Sequence, residues 1–316
     1  MLAAGNGYLA RCAQSGLTLD HHNNLRINDS LPRQDQVEKV AMLDHFWPLF
    51  TPFACRFGLT CMAAQCALSL AFARILPKGP WSEDPGFTAH QVVTVPLMAY
   101  LTYHGMREWY SKDDHGYTAL DRILGPHPKP DLSEVVMAMM FFWDIPTGFL
   151  VRSLRNPAMV AHHIAMFATS TLALGAWSDG HALLGYYAAY YFGAIEISSI
   201  PLILVDLFHP KHKAWHEYYQ SAPTWLKRFN EINRICFAIL FLGARAISFP
   251  YVSFTTVIPD LWHVASLPVE ERIVSVYPLY GMAILNTFFS LLQLYWGSLV
   301  LRQVVKALTP SKTKRS

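Results

Sequence analysis

Residues 156–177 read NPAMVAHHIAMFATSTLALGAW. After Pro157 the stretch carries no Asp, Glu, Lys or Arg, and about 20 such residues suffice to cross a bilayer's hydrocarbon core. It therefore reads as a membrane-spanning helix. Two adjacent histidines, His162 and His163, interrupt it. Ionisable side chains are costly in lipid, so a helix that keeps two of them turns that side toward a bundle interior. The apolar remainder is left to face the acyl chains.

The rest of the chain extends this reading. Of 316 residues, 53% are hydrophobic and only 15% charged, against about a quarter charged in a soluble domain. Apolar runs recur at about 47–74, 88–106, 134–151, 157–177, 181–207, 233–258 and 273–301, separated by turn-rich linkers such as KGPWSEDPG and GPHPKPD. The expected fold is all-α: a multi-pass membrane helical bundle with about seven transmembrane helices around a central polar cavity. Residues 1–45 read as a flexible polar tail without the apolar core of a signal peptide. Residues 46–305 form the transmembrane domain and 306–316 a basic tail. A net charge of +3 and no basic patch with interleaved aromatics argue against nucleic acid. Five scattered cysteines make neither a disulfide framework nor a zinc site and read as small buried hydrophobes.

Seven crossings would put 13 Lys and Arg on the side of the C-terminus and 9 on the other, which favours a cytosolic C-terminus. The sequon Asn28-Asp29-Ser30 would then face the lumen. Lys314 and Lys312, third and fifth from the end, fit a retrieval signal for the endoplasmic reticulum, read by a coat receptor. The alternative is a contact with lipid headgroups.

Five ionisable groups fall well inside the predicted spans: Asp144, His162, His163, Glu196 and Arg245. A charged Asp or Arg at a helix centre costs about 2.5–3.5 kcal/mol, so the spans are expected to enclose a shared polar space. Pro146, Pro201 and Pro250 follow three of these residues closely, and a proline interrupts the helical ladder. Glu196 and Arg245 suit a buried ion pair, either scaffold or part of a site. Asp144 could fix a histidine tautomer or simply link two helices. Asn286, Gln293 and Arg302 in the last span offer further polar contacts or plain packing links. The histidine pair fits general base and acid, or two bonded polar residues of the bundle. It does not suit a di-iron centre. His209, His212 and His216 give one box spacing in a loop, and Ala158 and Met159 occupy the places where a partner would precede the doublet. No metal or bound cofactor is expected. The loop from His209 to Asn230 mixes basic and aromatic residues as an interfacial anchor does.

Taken in order, FFWDIPTGFL, MVAHHIAMFA, EISSIP and FLGARAISFP resemble the TLC domain. That domain is shared by translocating-chain-associated membrane proteins, ceramide synthases and a ceroid-lipofuscinosis membrane protein, and the resemblance covers roughly 45–305. It implies a helical bundle around a lipid-accessible cavity, usually in the endoplasmic reticulum, with membrane lipids as partners. In the ceramide synthases a matching histidine doublet is essential, and acyl-CoA is the co-substrate. Here IAMFATSTLALGAWSDGHALLGYY follows His163, without the longer Ser-Tyr, Asn and His-Asp motif of those enzymes. The chain is more similar to the small TLC-domain proteins. Two expectations stay open: a non-catalytic lipid-binding, sensing or trafficking protein of lipid homeostasis, or an acyltransferase. In the second, His162, His163 and Asp144 are catalytic, and Glu196, Arg245 and Asn286 bind a long-chain acyl-CoA or lipid acceptor.

Overall fold

The computed structural model describes residues 17–19, 25–27, 46–112, 116–127 and 131–309. Two compact units separate at Asp44. In the first, Leu17–Leu19 pairs antiparallel with Leu25–Ile27 in the register Leu17↔Ile27. The rest of the expected N-terminal tail, its sequon, and the C-terminal Lys312 and Lys314 lie outside the described residues.

The second unit is helical. Seven long rods run through it: α1 (Pro52–Ile75), α2 (Pro85–Ser111), α3 (132–150), α4 (Pro157–Ala173), α5 (Ala188–Leu207), α6 (Thr224–Ser266) and α7 (Val276–Leu308). Local chemistry sets the starts. Thr51, Asp84, Asp131 and Asn156 each accept a hydrogen bond from a first-turn N–H. Three of those helices carry proline at the first position, where no N–H is needed. Short helices, among them Ala119–Leu124 and Lys213–Ser221, occupy the connections.

Packing closes the rods into a ring. α1 contacts α2 and α3, α2 contacts α5, and α5 contacts α6. α6 then meets α7, α7 meets α4, and α4 returns to α3. The outer faces are apolar, with Ile164, Ile235, Ile239, Ile247, Ile284 and Leu291 exposed, whereas Asp144, Glu196, Arg245, Asn286 and Gln293 are buried. That distribution inverts a soluble protein's and suits a lipid surround. α1, α5, α6 and α7 are long and apolar enough to cross a membrane. The predicted spans 88–106, 134–151 and 157–177 fall on α2, α3 and α4. At 43 residues α6 is about 65 Å long, well beyond a bilayer of about 40–45 Å with its headgroups.

Two predicted spans end differently from their apolar runs. α4 stops at Ala173 rather than Trp177, because Gly175 takes a left-handed conformation (φ +94°) that terminates the helix. At 17 residues it rises about 25 Å. The run 181–207 is not one helix either. Its first part is a buried turn, and α5 begins at Ala188 and breaks at Phe192 and Gly193 before resuming. The break lies where α2 and α5 touch backbone to backbone. A Cβ on Gly105 would stand 2.3 Å from Ala194 N, and one on Gly193 2.5 Å from Gly105 Cα. Only glycine permits this approach.

A candidate polar pocket inside the helix ring

The helical ladder changes pitch at Asp144, Glu196 and Arg245. In α3 the stretch Met140–Asp144 is π-helical, and in α6 so is Phe241–Ser248, which contains Arg245. Proline is the cause. Pro146 and Pro250 have no N–H, and in each case the residue before them bonds five positions back: Ile145 N–H to Met140 O, and Phe249 N–H to Ala244 O. The same widening precedes Pro77 and Pro259. In α5 the chain instead tightens to a 3₁₀ turn over Ala194–Ser198, which holds Glu196. The irregularity expected from the three prolines is therefore a widened turn twice and a tightened one once.

His162 and His163 lie about 100° apart around α4, so they face different neighbours. His163 turns to α3, its Nδ1 3.5 Å from Asp144 Oδ1. His162 turns to α7 and meets the rings of Phe289 and Trp296 edge-on. A polar contact with α3 for one ring and aromatic contacts with α7 for the other explain how one helix holds both histidines.

Asp144 is buried and sits between two histidines. Its hydrogen bond goes to His90 of α2, whose Nε2 lies 3.0 Å from Oδ1; His163 stands at charge-contact distance without a hydrogen bond. His90 also stacks on Trp143, whose Nε1 donates to Gln65 of α1. Sequence reasoning missed His90 because it lies close to the start of the 88–106 run, where a histidine passes for an interfacial residue. Pro96 farther along the same helix was the available sign that this span too is specialised.

Glu196 and Arg245 form a closed unit. Arg245 Nη2 donates to Glu196 Oε2 at 2.6 Å and to Ser199 Oγ at 2.9 Å, and Nε donates to Ser198 Oγ at 2.8 Å. Ser199 in turn donates to Glu196 Oε2 at 2.5 Å. Both charges are buried and paired, the arrangement that tolerates low dielectric. Asn286 accepts from Ser253 Oγ at 3.3 Å and donates to Met282 O.

These groups line one pocket. His162, Met166 and Thr169 come from α4, Glu196 from α5, Arg245 and Phe249 from α6, Asn286, Phe289 and Gln293 from α7. Its non-atom space is about 390 Å³, of which about 20 Å³ admits the centre of a water molecule, room for about one or two waters. Asp144 and His163 stand on the far side of α4, so the five ionisable groups form two clusters joined by the histidine doublet. Two polar atoms in the pocket have no hydrogen-bond partner among the described residues: His162 Nδ1 and Gln293 Oε1. Gln293 had read equally well as a packing link.

The order of these charged helices, each irregular at its charge, coincides with a sequence match. A family model, the TLC domain, covers residues 80–302, more than two thirds of the chain. The chain belongs to the TLC-domain family. The match includes all five ionisable residues and His90, and leaves α1 outside it. Comparison with curated proteins and with solved structures returns no match. This TLC-domain chain is thus a membrane protein of a lipid-related family.

A third polar cluster braces the ring away from the pocket. Arg122, in the connection before α3, donates two bonds of 2.6 Å to Asp260 of α6, and Tyr187 donates a third to the same carboxylate. The bidentate fork raises the Arg122 pKa above its ordinary value, the bonds to Asp260 outweighing burial.

Proposed function

We propose that this protein binds a membrane lipid at the pocket between α4 and α7 and serves lipid metabolism or homeostasis by binding, sensing or trafficking rather than by catalysis. One observation carries the reading. The pocket's charges are already consumed by the Glu196–Arg245–Ser198–Ser199 unit, and the remaining space takes a single small polar group. Acyl transfer would bring a thioester and an acceptor into contact there. Mass spectrometry of lipids co-purifying with the wild type and with His162→Ala/His163→Ala is the test. A defined lipid class retained by the wild type and lost in the variant supports the reading; identical lipid profiles refute it.

The second reading, an acyl-CoA-dependent acyltransferase, is favoured by the contact of His163 with Asp144, a base-and-orienter geometry. Labelled amide or ester formed from long-chain acyl-CoA by the wild type, and absent with Asp144→Asn, would establish it. We assign the protein to the endoplasmic reticulum with a cytosolic C-terminus, its seven rods all crossing, on the strength of the basic asymmetry and of Lys312 and Lys314. Lys312→Ala with Lys314→Ala should shift the protein to later compartments and abolish coat-receptor binding. An unchanged distribution removes the retrieval argument.

A further inference from the structure

The pocket's unpaired atoms specify a ligand group. Gln293 is 1% exposed, and its Oε1 meets no donor among the described residues. His162 Nδ1 of α4 is likewise unpartnered, and its ring packs against Phe289 and Trp296, one turn to either side of Gln293 on α7. A buried polar atom without a partner costs about 1–3 kcal/mol, and two in one cavity are accounted for by one group that serves both. That group must donate, because an amide oxygen only accepts. It must also engage an imidazole nitrogen, which donates or accepts according to tautomer.

Charge and size narrow the choice. Glu196 and Arg245 cancel formally, with a 2.6 Å contact between them. An added ammonium would stand beside Arg245, and an added carboxylate would face Glu196 and the Gln293 oxygen. Either would be an uncompensated charge in low dielectric. The cavity accepts a group of about one or two waters' size. A hydroxyl meets all three conditions, and the neighbouring wall of Met166, Phe249 and Phe289 is apolar.

We infer that Gln293 and His162 together recognise one neutral hydroxyl of a lipid. The inference rests on the lipid-binding reading above and adds the chemical class of the group bound. The donor requirement distinguishes an alcohol from the corresponding ether, which has the oxygen but not the proton.

The purified full-length protein in detergent is offered hexadecan-1-ol, 1-methoxyhexadecane, hexadecylamine or hexadecanoate at equal concentration, and adducts are counted by native mass spectrometry. The alcohol should be retained about tenfold over the ether, the order of discrimination that an unmatched buried acceptor enforces, and also over the amine and the acid. Gln293→Met, similar in volume but without an acceptor amide, should bring the alcohol-to-ether ratio near one. Equal retention of alcohol and ether by the wild type overturns this inference alone, and so does preference for the amine or the acid. A ratio unaffected by Gln293→Met also overturns it. Retention of none of the four probes overturns both this inference and the lipid-binding reading. The wild-type comparison decides even if the variant fails to fold.

Discussion

Replacing Glu196 by Gln tests whether the inner ion pair is a coupled unit. In the wild type Arg245 makes three charge-assisted hydrogen bonds, to Glu196, Ser198 and Ser199, and it is 7% exposed. The amide keeps the shape and leaves two or three of those bonds, but the guanidinium charge is no longer cancelled. Stranding one member of a buried pair costs about 3–5 kcal/mol, a range that overlaps the roughly 2.5–3.5 kcal/mol for a lone charge at a helix centre. Arg245→Met strands Glu196 with only Ser199 as donor and should cost a similar amount. Replacing both removes both charges at once, and neutral pairs of this kind are often close to neutral in stability. The double variant should therefore lose no more than about 2 kcal/mol, giving a coupling of several kcal/mol between the sites. Thermal unfolding of the purified protein is the assay, with single variants falling by roughly 10 °C and the double variant recovering most of that. Additive losses, or single variants within about 1 kcal/mol of the wild type, would refute the reasoning.

Three further outcomes follow from particular contacts. Gly105→Ala drives a Cβ to 2.3 Å from the Ala194 nitrogen, against backbone that cannot move aside, and should lower thermal stability by at least about 1–3 kcal/mol. Gly243→Ala, with open space around it, should fold with unchanged or slightly raised stability; equal effects at the two sites would contradict the close crossing of α2 and α5. His90→Phe keeps the stack on Trp143 but removes the hydrogen bond to Asp144, and is expected to cost about 1–3 kcal/mol. In an Asp144→Asn background the same change should cost distinctly less, and an undiminished cost would show that the bond is not the source. Asp260→Asn weakens three bonds to one carboxylate and should destabilise by about 2–4 kcal/mol. Limited proteolysis of the connection around Arg122 should accelerate with it, and an unchanged cleavage rate would show that this brace does not hold the connection.

How much was legible depends on the range of the signal. Apolar runs and their breaks are local properties, so the sequence by itself determined that the chain is a helical membrane protein, roughly where its rods lie, and which five ionisable groups must turn inward. The order of four short motifs determined the family resemblance. Partners are not local. That Asp144 bonds His90, 54 positions away, follows from α2 and α3 being brought together, and nothing around His90 marks it apart from an interfacial residue. Likewise 156–177 looks uniform along its length, yet the helix ends at Ala173 because Gly175 turns left-handed beside a returning loop, which is a tertiary circumstance. Glu196 and Arg245 were foreseeable as a pair because opposite charges in oil have few alternatives. Gln293 was not foreseeable as part of a pocket, since an amide in a membrane helix serves packing and binding equally well until its neighbours are fixed. Hydrophobicity, summed over a run, determined what is inside and what is outside; only the closed ring decided which inward groups satisfy one another and that His162 Nδ1 and Gln293 Oε1 of the pocket find no partner among the described residues.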